Sequence, residues 1–145
     1  MTQRHIFRIL DANFNRSREG LRVCEELARF VLNDAPLTRK LKTCRHATSK
    51  VLLNMPVPYS KLLDARNSAS DVGRAPSPLE KKRCNAADLF SANSQRVKES
   101  LRVLEEALKL GWPHSADSIK RIRFNVYEIE RNALPKLETL RHHRR

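Results

Sequence analysis

The sequence predicts an all-α protein: a four-helix bundle of two helical hairpins related by a pseudo-twofold axis, with a long ordered loop between the second and third helices. Two observations lead to this fold class. The chain of 145 residues contains only three glycines, and long stretches lack both glycine and proline, which suits helices and argues against a turn-rich β fold. In addition, the segment at residues 9–26 recurs at residues 89–106 with nine identical positions, which is typical of one structural unit used twice.

The positions of the prolines divide the chain into predicted helices. These helices cover about residues 3–32, 37–54, 79–110 and 115–140. The first ends ahead of Pro36, because a proline disfavours the helical conformation in the residue before it. Pro56 and Pro58 stop the second helix, and Pro135 either kinks the fourth or ends it early.

The segment between the two hairpins is long for a compact domain, and loops of such length are usually functional or disordered. It mixes Asp, Arg, Ser and Gly rather than repeating a few residue types, so we expect an ordered loop that covers or completes a site. At this chain length a single domain is expected. It comprises residues 1–145, with a first repeat at about 3–54, a loop at 55–78 and a second repeat at about 79–142.

Polar side chains interrupt the apolar face of the repeated helix. At about 100° per residue, Asn13 falls in the middle of the apolar stripe, Arg16 at its margin and Glu19 further round the same side. The second copy has the same residue types at the equivalent positions: Asn93, Arg96 and Glu99.

Two interpretations of these residues stay open. In the first, they form two Asn–Arg–Glu networks that fix the register of the bundle, with Arg16 and Glu19 as a pair one turn apart. In the second, both asparagines and both arginines converge on a polar cleft between the first and third long helices. There the paired arginines would hold an anionic group bidentately.

A second set of repeated polar residues lies on the opposite side of the helix. Arg22, Glu25 and Glu26 recur in the second copy, and Glu25 to Arg29 has the spacing of a surface ion pair. We interpret this set as a solvated face.

The loop contains charged residues that suit a magnesium-bound phosphate. Asp64, Arg66 and Asp71 offer two carboxylates and a guanidinium, and Mg²⁺ prefers one or two carboxylates together with phosphate oxygens. The alternative is turn chemistry, in which Asp and Ser side chains bond their own backbone.

The composition narrows the class of ligand. With 29 Lys and Arg against 16 Asp and Glu, the net charge of +13 favours anionic partners, including nucleotides, phosphorylated metabolites, nucleic acid and acidic protein surfaces. The basic residues are scattered and no stacked aromatics accompany them, which disfavours nucleic acid. No phosphate-binding glycine loop is present.

Membrane and secreted classes are also disfavoured. The chain has no apolar window long enough for a bilayer, and its first ten residues lack the apolar core of a signal peptide. Cys24, Cys44 and Cys84 match neither a disulfide framework nor a zinc pattern, so we expect reduced thiols in a cytoplasmic protein.

Three segments, residues 8–23, 62–73 and 92–106, together resemble one family. It is the helical domain fused in front of thiamine-phosphate synthase in cyanobacteria and some other bacteria, which has been proposed as an alternative hydroxymethylpyrimidine-phosphate kinase. The resemblance covers nearly the whole chain in the same order, without the synthase barrel, so the sequence is similar to a stand-alone version. Asn67 and Ser70 stand where the family has Asp and Gly.

The resemblance implies a role in thiamine biosynthesis and favours an enzyme: a phosphomethylpyrimidine kinase-type phosphotransferase that uses ATP and Mg²⁺. Its substrate would be a phosphorylated pyrimidine. The candidates for substrate binding are Asn13, Arg16, Arg66, Asn93 and Arg96. The catalytic candidates, which would hold Mg²⁺ or accept the hydroxyl proton, are Glu19, Glu99 and Asp71, and the metal candidates are Asp64 and Asp71.

Two alternatives stay beside the kinase, whose absent nucleotide-binding motif counts against it. The protein could instead be a non-catalytic helical partner of thiamine-phosphate synthase, or a basic nucleic-acid-binding module suggested by charge alone. A homodimer stays open as well.

Overall fold

The protein is all-helical, as the sequence predicts. The computed structural model describes residues 1–76 and 82–142, with side chains as far as residue 140. Within these residues the chain forms helices and no strand: α1 (Gln3–Phe30), α2 (Ala35–Asn54), α3 (Tyr59–Ala65), α4 (Ala86–Leu108) and α5 (Pro113–His142). None of the helices in the described part of the chain is long and apolar enough to cross a membrane.

Polar side chains mark the helix starts. Thr2 caps α1 in a capping box: its hydroxyl accepts from the backbone N–H of His5, and the His5 ring accepts from the Thr2 N–H. Asp34 caps α2 by accepting from the N–H of Leu37 at 2.9 Å. Asn85 caps α4 by accepting from the N–H of Asp88 at 2.9 Å. These caps satisfy backbone donors that the helix itself leaves unpaired.

Three predicted boundaries differ from the structure. The predicted loop contains the short helix α3, which packs against α1. The third long helix begins at Ala86 rather than at about residue 79, because residues 82–85 are not helical and Asn85 supplies the cap; residues 79–81 lie outside the described part. The fourth continues through Pro135 to His142, so the proline does not end it.

The four long helices pack in a closed ring. α1 contacts α2 and α4, α4 contacts α5, and α2 contacts α5. α1 and α4 approach each other closely at Gly20, where an added Cβ would lie 2.7 Å from Cγ2 of Val97. Leu21 of the first copy and Leu101 of the second are buried alike, since each is at most 1% exposed. This order is compatible with a bundle of two hairpins, while the pseudo-twofold axis stays a prediction.

The structure overturns part of the solvated-face interpretation. Glu25 and its copy Glu105 are each only 4% exposed. Nε of Arg45, on α2, donates to Glu25 at 2.8 Å, and Nε of Arg123, on α5, donates to Glu105 at 2.9 Å. The sequence-based prediction puts Glu25 in water because it assumes a single apolar stripe on the helix. In fact α1 is covered on two sides, by α2 and α4, so its buried sector is wider.

The pairing has electrostatic consequences. Burial raises the pKa of Glu25, but the hydrogen bond and charge of Arg45 outweigh it, so the pKa lies below its ordinary value. The predicted pair with Arg29 is therefore replaced by one that joins two helices. Arg22 stays exposed and pairs with Glu26 at 3.2 Å, as a solvated face requires. Repetition of Glu25 as Glu105 thus has a structural reason, since each glutamate joins the two helices of its own hairpin.

Candidate functional site

A cleft of about 600 Å³ lies between the N-terminal half of α1 and the loop that follows α3. We call it the loop cavity. Its charged and amide side chains include Arg8, Asp11, Asn13, Arg16, Arg66 and Asp71. Among them are three of the predicted substrate-binding residues and one of the predicted catalytic residues.

An ion pair fastens the loop to α1. Nε of Arg66 donates to Oδ2 of Asp11 at 2.8 Å, and Nη2 donates to Oδ1 at 2.7 Å, the bidentate geometry that matches a guanidinium to a carboxylate. Asp11 is only 5% exposed, whereas about a third of the Arg66 side chain is in contact with solvent. The hydrogen bonds from Arg66 to Asp11 and then Tyr59 raise the pKa of Arg66 well above its ordinary value. The guanidinium is therefore a permanent cation at the cleft edge.

Asp11 is a lining residue of the loop cavity that the sequence-based prediction missed. A signal for it exists: Asp11 lies one turn from Phe7 and from Phe14, both buried, so its carboxylate had to be buried and to find a cation. In the second copy the equivalent residue is Ser91. The aspartate that anchors the loop is therefore present only in the first copy of the repeat.

A second cavity, of about 480 Å³, opens between α1 and α4. We call it the interhelix cavity. It is lined by Asn13, Arg16, Arg96, Glu99, Ser100 and Val103. Asn13 and Arg16 line both cavities, so the two spaces adjoin at these residues. The predicted cleft between the first and third long helices thus corresponds to this space.

The remaining predicted residues lie elsewhere. Asn93 lines neither cavity; its amide donates to the carbonyl of Leu89 at 2.9 Å, the same bond one turn back that Asn13 makes to Ile9. Glu19 lines a separate depression between α1 and α2, together with Arg22 and Arg45. Asp64 is exposed on α3, away from both cavities. The structure therefore brings together Asn13 and Arg16 with Arg66 and Asp71 on one side and with Arg96 and Glu99 on the other.

The interpretation as an internal network has little support from these contacts. The amide of Asn13 donates to the carbonyl of Ile9 at 2.8 Å and accepts from Nη1 of Arg16 at 3.5 Å, both within α1. Among residues 1–76 and 82–140, no hydrogen bond or ion pair joins Asn13, Arg16 or Glu19 to their copies on α4, and Arg16 and Glu19 form no ion pair. Arg16 gives one N–H to Asn13, and its remaining N–H donors are available to an external anion.

Three guanidiniums at the cavities lack a carboxylate partner. In the part of the chain that the structure describes, Arg8, Arg16 and Arg96 form no ion pair, whereas the interhelical Arg45 and Arg123 each hold a buried glutamate. Arg8 is half-buried, and Arg16 and Arg96 are exposed. Unpaired guanidiniums that line a concave space are suited to phosphate or carboxylate ligands.

The loop carboxylates partly follow turn chemistry. Oδ1 of Asp71 accepts from the N–H of Gly73 at 2.8 Å, and Oδ1 of Asn67 accepts from the N–H of Ser70 at 3.3 Å. Asp71 also lines the loop cavity, and its second carboxylate oxygen accepts no hydrogen bond from the described residues. No group of three or more His, Cys, Asp or Glu side chains suited to a metal occurs among the described residues. Any Mg²⁺ here would therefore need phosphate oxygens as further ligands, as Mg²⁺ ordinarily accepts.

The fold and these two cavities define an all-helical domain with an arginine-lined cleft on its first helix. The chain belongs to the ThiD2 family, whose model matches residues 8–132. This confirms the resemblance found in the sequence. The match includes most of the lining of both cavities.

Several relatives named thiamine-phosphate synthase match most of the chain. The protein from Nostoc punctiforme is 41% identical over 133 residues, which is 91% of this chain and 36% of the relative. The Rhodopirellula baltica protein is 37% identical over 94% of this chain and 36% of its own length, and the Synechocystis protein is 41% identical over 89% and 36%. The chain thus spans little more than a third of these relatives. No solved structure matches.

Proposed function

We propose that the protein acts in thiamine biosynthesis, where it binds hydroxymethylpyrimidine phosphate and transfers a phosphoryl group onto it. The observation that carries the proposal is the set of unpaired guanidiniums, Arg8, Arg16 and Arg96, around two adjoining cavities. Family membership and relatives named thiamine-phosphate synthase support the pathway. The cavities of about 600 and 480 Å³ fall within the range of ordinary small-molecule sites.

The proposed phosphoryl transfer mainly requires that the two substrates are positioned and that their negative charges are neutralised. In a phosphate monoester the attacking oxygen is already largely ionised near pH 7, since its second pKa is about 6. The reaction therefore depends less on a base such as Glu99 than on cations that bring two anions together. Arg16 is placed for this task because it lines both cavities.

ATP and Mg²⁺ are the proposed donor and cofactor. Asp71 is the carboxylate best placed to hold the metal, because it lines the loop cavity beside Arg16 and Arg66. Asp64, the other metal candidate, lies outside that lining. Bound Mg²⁺ would neutralise charge on the donor's phosphates.

A product assay tests the proposal directly. Purified protein is incubated with ATP, Mg²⁺ and hydroxymethylpyrimidine phosphate, and the diphosphate is quantified by anion-exchange chromatography. We expect diphosphate from the wild type and a loss of about 100-fold in Arg16→Ala, which removes charge-assisted hydrogen bonds to phosphate. Arg4→Ala is the matched control, since Arg4 is exposed on the same helix and lines neither cavity. Absence of diphosphate alongside an active reference kinase contradicts the kinase activity.

A second candidate is a non-catalytic partner of a thiamine-phosphate synthase. It is favoured by the lengths of the relatives, which carry this domain as 36% of a longer chain. In that case Arg16→Ala and Arg96→Ala would leave ligand affinity unchanged and weaken a complex with the synthase. Titration of the synthase with each variant distinguishes the two candidates.

A cytoplasmic location completes the proposal. It is supported by the thiols: all three cysteines are free, with Cys24 and Cys44 buried and Cys84 exposed. Nucleic-acid binding, suggested by charge alone, stays a prediction, and so does a homodimer.

A further inference from the structure

The two cavities share one charged side chain. Arg16 lines both the loop cavity and the interhelix cavity, whereas Arg8 and Arg66 belong only to the first and Arg96 only to the second. Asn13 is also common to both and holds Arg16 from within α1, at 3.5 Å from Nη1 to Oδ1. Arg16 therefore borders the space open to a ligand in either cavity.

The loop cavity has the chemistry for a polyphosphate. It offers three guanidiniums and the Asp71 carboxylate, while Asp11 compensates the charge of Arg66 and keeps it at the edge. A nucleoside triphosphate needs several cations along its chain, and a carboxylate is the usual protein ligand for the accompanying Mg²⁺. This cavity is also the larger of the two, at about 600 Å³.

The interhelix cavity suits a smaller ligand with one phosphate and one ring. Arg16 and Arg96 come from two helices and offer a pair of guanidiniums, which fits a monophosphate. The Glu99 carboxylate can accept from an exocyclic amino group, and Val103 presents an apolar surface to a ring. Oε1 of Glu99 already accepts from Gln95 at 3.0 Å, which leaves the other oxygen for a ligand.

We infer that the two cavities are separate compartments for the two substrates: the nucleoside triphosphate in the loop cavity and the pyrimidine monophosphate in the interhelix cavity, with Arg16 at their junction. This inference rests on the proposed function. The γ-phosphorus loses its bond to the β,γ-bridging oxygen, whose electron pair leaves with the nucleoside diphosphate. The γ-phosphorus forms a bond to an ionised oxygen of the acceptor's phosphate, so no proton has to be removed.

Equilibrium binding separates the compartments. Isothermal titration calorimetry is carried out with the Mg²⁺ complex of β,γ-imido-ATP and, separately, with hydroxymethylpyrimidine phosphate. We expect Arg8→Ala to weaken nucleotide binding by about tenfold or more and Arg96→Ala to weaken monophosphate binding by a similar factor. For each of these two variants, the dissociation constant of the other ligand should stay within about twofold of the wild-type value. Arg16→Ala should weaken the binding of both ligands, and the Arg4→Ala control should weaken neither.

The outcomes distinguish this inference from the proposed function. If Arg8→Ala and Arg96→Ala weaken the same ligand, or if their effects are exchanged, the division into compartments is wrong while the kinase reaction can still hold. If the wild type binds the monophosphate but not the nucleotide analogue, the inference is wrong and the diphosphate assay decides the reaction. If it binds neither ligand, both proposals fail. Circular dichroism verifies that each variant is folded.

Discussion

Asp11→Asn tests whether the ion pair to Arg66 holds the loop over the cleft. The substitution keeps the size of the side chain but removes the charge that receives two hydrogen bonds from Arg66, at 2.7 and 2.8 Å. Weakening the hydrogen bonds of a charged group that stays behind costs about 1–3 kcal/mol. Because about a third of Arg66 is already in contact with solvent, it can rehydrate, and we expect the lower part of this range, about 1–2 kcal/mol.

The loss of stability should be concentrated in α3 and the loop that follows it. Arg66 and Tyr59 are tied to α1 through Asp11, so its weakening favours local opening of α3 and residues 66–75. A cost of about 1.4 kcal/mol corresponds to about tenfold faster amide hydrogen exchange in that segment. Exchange of α4 and α5 should change much less. Affinity for ligands of the loop cavity should fall, since one wall would be less ordered.

The measurement is hydrogen–deuterium exchange followed by mass spectrometry, with urea unfolding as a second readout. Asp117→Asn is the matched control, because Asp117 is exposed on α5 and the structure gives it no ion pair among the described residues. If Asp11→Asn leaves exchange at residues 59–75 as slow as in the wild type, the ion pair does not order the loop. A uniform rise over all helices would mean that Asp11 contributes only to global stability.

Three further predictions concern packing, reactivity and pH. Gly20→Ala should lower the free energy of unfolding by about 1–3 kcal/mol, because its Cβ would lie 2.7 Å from a side chain of α4. Gly111→Ala, with nothing within 4 Å of its Cβ, should be nearly neutral in the same urea titration. Burial raises the pKa of Cys24 to about 12, helped by the charge of Glu130, so at pH 8 a thiol reagent should label the exposed Cys84 and spare Cys24 until the protein unfolds. The pKa of Glu25 is lower in the folded than in the unfolded protein, so its contribution is complete above about pH 4.5 and is lost as the pH falls. Urea unfolding from pH 6 to pH 3 should therefore show a smaller pH dependence in Glu25→Gln, and an unchanged slope would contradict the pairing.

The site was predictable where its residues belong to the repeat. Arg16 and Arg96 are predictable because both copies have an arginine at the same helical position, at the margin of the apolar stripe. Their convergence on one cavity follows from the packing of α1 on α4. Asn93 has the same position in the repeat as Asn13 and the same local bond to its own backbone, yet it lines neither cavity, which its place along the helix could not reveal.

The structure of the loop was harder to predict from the sequence, because its contacts have no periodicity. Residues 59–65 form a helix of only seven residues, too short for a recognisable apolar pattern, and its neighbour Arg66 reaches across 55 positions to Asp11. Asp64 and Asp71 looked equivalent in sequence. Only Asp71 lines the loop cavity, because the chain turns between the two.

The sequence by itself determined the all-helical class, the places where prolines interrupt helices, and the repeat that marks Asn13, Arg16 and their copies. These properties depend on backbone sterics and on the spacing of residues along one helix, which are local. Only the tertiary structure decided that Glu25 is buried against Arg45, that Asp11 anchors Arg66, and that Arg16 lies between two cavities. Whether a side chain is covered, and which charge it meets there, depends on elements far away in sequence that pack against it.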